Sequence, residues 1–400
     1  AVLAVAALAA AVPILGGMRS LTWTGSAQFL VGAVGLTAVV TTISVLLTNL
    51  PAPQLTYSQL LPALQNAEIS AGVTPVGPDE VPNALPGAAP LPSVKPFMQS
   101  FGVIDSLDFS LIFVCLALGT AALPSLLLRS GVTSSLAEQR RSTAWGLLFV
   151  ALFVMTAPAM AAFAKLITFR DIALTPASSP PAWLAEFGTS NLLKAGDLNG
   201  DGAIAATELL IGRDGVTLAL PAAAGLPYVL TLLMAAAALA VALAAAASHL
   251  FTPAAGLAED LYRVLDRHQT LPRIVAAWAA IGASALAVAV FLVIADLDPL
   301  KAALLAFAFA GATFFPVLLL AIWWRRFGKW SAMTAMATGF FVMLVEAMFG
   351  GALGLGGPGV SAALACVLGA ALALLAGIGV SLYLPPPSKI EDDYWEEMRD

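Results

Sequence analysis

The sequence predicts an all-α polytopic membrane protein. Three observations carry that prediction. Nine stretches are apolar for about 20 residues each, the length a helix needs to cross a bilayer core. Charged residues make up 10% of the 400-residue chain, against roughly 25% in a soluble domain. They fall almost entirely between the apolar stretches, and mean hydropathy is +0.91. In lipid every backbone polar group needs an internal partner, so continuous apolar runs of this length are read as helices.

The predicted spans cover about residues 2–17, 23–48, 108–128, 144–168, 223–250, 274–295, 302–324, 331–350 and 359–384. Residues 1–48 thus hold two spans, the first only marginally long enough. It lacks a starting Met and a charged leading region, so it is not read as a signal peptide. A chain opening on Ala-Val-Leu inside a span is expected to be a fragment, a processed product or one lacking N-terminal residues. Residues 49–107 are rich in Pro, Gly and Ala and are read as an irregular covering loop. Residues 108–168 hold two spans, the first interrupted by Gly119-Thr120 and Pro124. Residues 169–222 form a second long loop. Residues 223–324 hold three spans, the first of them almost wholly alanine and leucine, and residues 325–384 hold two more. Residues 385–400 open on Pro385-Pro386-Pro387 and form an acidic tail.

Orientation follows from the basic residues. Twelve of the 18, from Arg19 through Arg129, Arg140, Arg141, Arg263, Arg267, Arg273, Arg325, Arg326 and Lys329 to Lys389 and Arg399, lie on one side. Lys95, Lys165, Arg170, Lys194, Arg213 and Lys301 lie on the other. The positive-inside rule places the first set in the cytoplasm, with the C-terminus, and puts the N-terminus and both long loops outside. Lys165 is expected to snorkel outward from its span. Trp23, Trp145, Trp278, Trp323, Trp324 and Trp330 are expected as interfacial anchors. Glu346 is expected to reach the interface or pair locally.

Several function classes are excluded. A net charge of −6 with no basic run gives no nucleic-acid surface. Cys115 and Cys366 both sit in apolar spans, which argues against a disulfide and against cysteine catalysis. With two histidines there is no nucleophile, base and acid set, and no Gly-rich phosphate loop opens a helix. The chain is not expected to be an enzyme.

The second loop carries a twelve-residue pattern with calcium chemistry, residues 197–208. Asp197, Asn199 and Asp201 supply oxygens at positions 1, 3 and 5. Gly202 allows the sharp turn, Ala203 offers its carbonyl, and Glu208 closes the shell with two oxygens. The bland alternative is an Asp/Gly-rich turn. With one such loop, calcium is expected as a structural clip rather than a signal.

Several stretches together resemble the sodium:solute symporter family, closest to its cation–acetate symporter-like, large-loop branch. They are Gly16-Gly17-Met18-Arg19 with Trp23-Thr24 and Gln28; Gly119-Thr120 with Pro124; and Glu138-Gln139-Arg140-Arg141-Ser142. Ala224-Gly225-Leu226-Pro227-Tyr228, Glu259-Asp260-Leu261-Tyr262, Thr313-Phe314-Phe315-Pro316 and Trp323-Trp324-Arg325-Arg326 complete the set. The resemblance covers about residues 10–385. It implies a leucine-transporter-like fold of two inverted five-helix repeats around a midplane site. On that map the chain begins at the fourth core helix and lacks the first three. Gly119, Thr120 and Pro124 then mark a broken helix lining the substrate site. A bacterial inner membrane is the implied location.

The resemblance also exposes departures. Relatives hold the coupling sodium partly by two adjacent hydroxyl residues in the helix that ends in Asp-Leu-Tyr. Counting back from Asp260-Leu261-Tyr262, those positions are Ala244 and Ala245. Sodium needs several oxygens to replace its water, so a degenerate sodium site is expected. Small side chains in this span also suit close helix packing. His249, an ionisable group inside a span, could carry a proton instead of sodium or ligate a metal or pigment. The plain alternative is a neutral imidazole bonded to a neighbouring helix.

Two functions follow. One is cation-coupled uptake of a small organic solute such as a short carboxylate, with sodium or proton as coupling ion. The other is a transport-inactive homologue serving as a structural subunit of a larger membrane complex. In either, other membrane subunits could supply the missing helices, and the bilayer is the constant partner.

Overall fold

The computed structural model describes residues 2–73, 75, 95–101, 105–130, 135–172, 175–176, 178–179, 181, 183–184, 193–195, 197, 201–204, 209–211, 213–262, 272–295, 299–349 and 360–385. Among the described residues, eight helices are long and apolar enough to cross a membrane. The all-α polytopic class is therefore the one the sequence predicts.

Helix α1 (Val2–Thr48) absorbs the first two apolar stretches. At ~1.5 Å per residue its 47 residues would run about 70 Å, twice the hydrocarbon thickness. It is in fact two helices joined at Gly17, where φ is 56° and ψ is −144°. A side chain would be strained at that backbone angle, while nothing crowds the position within 4 Å. The angle, not the space, selects glycine. Among the described residues the nine apolar stretches thus correspond to eight helical segments, the first kinked at Gly17 and holding two of the stretches.

Helix α2 (Pro53–Thr56), a 3₁₀ turn (Tyr57–Leu60) and α3 (Leu61–Ser70) follow. Residues 53–70 are therefore helical, where their proline content suggested an irregular loop. Pro53 and Pro62 sit in first helical turns, where a missing N–H costs nothing. Helix α4 (Ser106–Ala121) is capped by Asp105, which accepts from Ser106 N. A short α5 (Pro124–Ser130) follows. Helix α6 (Leu136–Ile167) is capped by Ser135, whose hydroxyl accepts from Glu138 N, and it widens into a π-helical turn over Thr168–Ile172.

A two-stranded antiparallel ribbon, β1 (Leu193–Ala195) and β2 (Leu209–Ile211), pairs Leu193 with Ile211. Next come α7 (Arg213–Ala223) and α8 (Tyr228–Ala255), the latter ending in a second π-helical turn, Gly256–Leu261. The rest is α9 (Arg273–Ala295), α10 (Pro299–Thr313), α11 (Phe315–Trp323), α12 (Lys329–Phe349) and α13 (Val360–Tyr383).

The chain divides into two compact units. The first comprises Leu3–Val103 and Ser134–Ala285. Its largest core joins Val39, Val40 and Ile43 of α1 to Ala159, Phe163 and Ile167 of α6, with Leu220 and Met234. Lipid is as apolar as leucine, so such helices associate through close packing. Glycines provide it. A Cβ on Gly32 would lie 2.4 Å from Val241 Cγ2, and one on Gly35 would lie 2.5 Å from Ala237 Cβ. Ala9 and Ala10 of α1 pack with Leu250 and Ala254 of α8 and with Ile281 and Ala285 of α9.

The second unit comprises Ile104–Thr133 and Leu286–Asp400. Here α10 is gripped by α4, α12 and α13. Pro316 has no N–H to offer the carbonyl of Ala312, four residues back. That carbonyl lies against Gly339 of α12, where a Cβ would sit 2.1 Å away. Trp324 Nε1 donates to Ser381 Oγ at 2.9 Å, so this tryptophan ties α11 to α13 rather than serving only as an interfacial anchor. Trp23, Trp145, Trp278, Trp323 and Trp330 are exposed.

Candidate functional site

The second unit contains a broken transmembrane helix. Regular structure in α4 ends at Ala121 and resumes at Pro124. Ala122 N still reaches Leu118 O and Gly119 O, at 3.2 and 3.3 Å. Pro124 cannot donate to Thr120 O, which is left with the shared Ala122 N–H of the helix cap and a long 3.5 Å contact from Leu123 N. Backbone polarity is thereby loosened inside an apolar span, a condition tolerated only where protein or a water-lined cavity receives it.

The three residues singled out there divide by role. Gly119 is buried against α10, where a Cβ would lie 2.3 Å from Phe307 O. It serves close helix packing. Thr120 is exposed and Pro124 half-buried, so these two face whatever adjoins the break.

In the first unit, Ala244 is half-buried and Ala245 exposed on α8. His249 lies one turn beyond Ala245 and is also exposed. Ala235, Leu239, Ala242, Ala245 and His249 form a helical stripe on the face turned away from α1 and α9. No side-chain oxygen occurs on that stripe. Among the described residues, two hydroxyl oxygens are buried without a hydrogen-bond partner, Thr231 Oγ1 on α8 and Thr313 Oγ1 at the end of α10.

Part of the calcium-like loop is described. Asp197 Oδ1 and Oδ2 accept from Asp201 N and Gly202 N, at 3.1 and 2.8 Å, and Asp201 Oδ1 accepts from Ala203 N at 2.8 Å. Gly202 has φ +82°, the left-handed turn the pattern assigns to its glycine. Ala203 bridges to Pro176, Ile204 N donates to Thr175 O at 2.9 Å, and Ile204 is buried. Asp197, Asp201 and the Ala203 carbonyl fit a hard cation's donor set. Asn199 and Glu208 lie outside the described residues.

Two features had no signal in the sequence. Glu68 of α3 is 2% exposed and pairs with the Lys165 ammonium of α6. Glu68 Oε1 also accepts from Phe97 N at 2.8 Å, and Lys165 Nζ donates to Lys95 O. Lys165 therefore does not snorkel outward; a buried carboxylate 97 positions away holds it, and local hydropathy carries no trace of that. The other feature is a cleft of about 390 Å³ lined by Leu46 and Leu47 of α1, Ile167, Arg170, Asp171 and Gly225. The π-helical turn brings Arg170 to its rim, paired with Asp171 at 2.7 and 3.0 Å.

Eight apolar helical spans among the described residues, one of them broken, define an integral, polytopic membrane protein. Its surroundings are a lipid bilayer. The chain belongs to the sodium:solute symporter family, whose family model matches residues 1–339. That family is one of membrane transport proteins. It is 39% identical over 248 residues to an uncharacterised symporter of Cupriavidus necator, a match covering 59% of this chain and 35% of that protein. It is 30% identical over 155 residues to the osmoregulated proline transporter of Bacillus subtilis, covering 38% of this chain and 30% of the relative. The matched regions thus span about a third of the length of these curated relatives.

Proposed function

We propose that this chain forms the helical part of a cation-coupled transporter that takes up a small organic solute, such as a short carboxylate. The observation that carries the reading is the break between Ala121 and Pro124, with Thr120 exposed beside it. Interrupted helices at mid-membrane are where transporters of this architecture hold substrate and ion. In this reading Thr120 and the loosened carbonyls meet the solute, and helices from the rest of the transporter complete the site. The sub-branch we favour is the cation–acetate symporter-like one, in a bacterial inner membrane with the C-terminus cytoplasmic. Asp197, Asn199, Asp201, Ala203 and Glu208 hold a structural calcium on the external loop.

The alanines at 244 and 245 favour a second reading, a transport-inactive homologue acting as a structural subunit. A sodium ion near α8 gets no side-chain oxygen from the exposed stripe. A proton carried by His249, on the same stripe, is the alternative coupling ion.

The deciding experiment is uptake of radiolabelled acetate by the purified protein, with its co-purifying subunits, in liposomes. One arm imposes a sodium gradient and the other a proton gradient. Uptake in either arm supports the symporter reading; proton-driven uptake points to His249. No uptake of acetate or of a panel of short carboxylates, by folded protein, would favour the structural subunit.

A further inference from the structure

The chain has two cysteines, 251 positions apart. The fold brings them together. Cys115 of α4 and Cys366 of α13 are both fully buried, in one cluster with Ala308, Ala312 and Met343. Helices α4 and α13 pack directly against each other there. Gly311 of α10 makes the room, since a Cβ there would meet Cys366 Sγ at 2.9 Å and Gly119 N at 3.1 Å. Cys115 stands one turn before Gly119, so the pair lies at the crossing of α4, α10 and α13, next to the helix break.

We propose that Cys115 and Cys366 are a redox-active dithiol that closes to a disulfide, bonding α4 to α13 about two turns before the break. Reading the sequence alone, burial in separate spans counted against a disulfide. Their meeting in one buried cluster reverses that argument, because each thiol finds the other across the α4–α13 packing. Around the two thiols lie alanines and Met343, with Leu111, Ile112, Leu304, Leu305 and Phe309 packed against them. A charged oxidant would be costly there. A lipid-soluble quinone suits the setting, and the step balances with it. The two S–H bonds break, the S–S bond forms, and two electrons and two protons pass to the quinone, which leaves as hydroquinone. No charge is left in the apolar interior. Thiol–disulfide exchange with a small membrane-permeant dithiol restores the reduced pair. Closure ties the stretch of α4 that leads into the break to α13, and so limits motion there.

The test needs no transport activity. The purified protein, reconstituted in liposomes, is treated with a short-chain ubiquinone analogue. It is then denatured, alkylated and digested without reduction. We expect both thiols to be lost to alkylation and one peptide pair joining the Cys115 and Cys366 segments, lighter by two hydrogens. One hydroquinone should form per protein, and dithiothreitol should reverse the change. Cys115→Ala and Cys366→Ala should each keep the remaining thiol alkylatable and form no hydroquinone. Two intact thiols after quinone, a quinone–cysteine adduct, or an intermolecular dimer would overturn the proposal.

Discussion

Glu68→Gln tests how α3 and residues 95–97 are fastened to α6. In the native protein the Glu68 carboxylate is 2% exposed and answers two donors, the Lys165 ammonium and Phe97 N. Lys165 in turn donates to Lys95 O. Three pieces of chain, α3, residues 95–97 and α6, therefore meet at one charge pair. Glutamine keeps the shape but removes the negative charge, leaving an ammonium that is 19% exposed without its counter-ion. Breaking a buried pair this way costs about 3–5 kcal/mol. Lys165 keeps a carbonyl partner and some exposure, so the low end, about 3 kcal/mol, applies. Local opening of α3 should then become roughly a hundredfold more frequent. The assay is hydrogen exchange of the amides of residues 64–70 in reconstituted protein. Replacing both partners, Glu68→Met with Lys165→Met, should restore much of the protection, because two apolar groups leave no stranded charge. Exchange in Glu68→Gln within about threefold of wild type, which corresponds to well under 1 kcal/mol, would refute the reasoning.

Four further outcomes follow from the same structure. Gly339→Ala drives a methyl to within 2.1 Å of Ala312 O and should lower stability by about 1–3 kcal/mol in detergent unfolding. Gly379→Ala, with nothing within 4 Å, should be neutral or stabilising by the same measurement. Asp197→Asn removes the charge that organises the 197–203 turn, so calcium binding by calorimetry on the intact protein should weaken at least tenfold. Ala244→Ser with Ala245→Ser, if a sodium site lies along that face of α8, should raise sodium affinity in a binding assay; an unchanged affinity would move the site elsewhere.

The class of fold was legible because lipid imposes it. Runs of about 20 apolar residues admit few structures in a membrane. Pro124 and Gly119 were legible as exceptional for the same reason, since each alters backbone bonding or packing in an apolar span. Pairings between distant segments were not. Packed and lipid-facing sides of these helices are equally apolar, so no periodicity tells them apart. The contacts that decide the bundle are made by Gly32, Gly35, Gly311 and Gly339, which add nothing to hydropathy. Glu68 with Lys165, Cys115 with Cys366, and Trp324 with Ser381 depend on those contacts and stay invisible until the helices are placed. At residues 53–70, proline content suggested an irregular loop. The prolines instead occupy helix starts, a positional meaning that composition alone does not convey.

The central claim is that the break between α4 and α5 lines a solute path. Its most direct test is the accessibility of a cysteine at position 120, with Cys115 and Cys366 replaced by alanine. Thr120→Cys protein in liposomes is reacted with a membrane-impermeant thiosulfonate, with and without the transported solute and its cation gradient. The account predicts labelling from water, slowed several-fold when solute is present. A cysteine that never reacts, or reacts at a rate no solute alters, would mean that the break is a packing kink and that the transport path lies elsewhere.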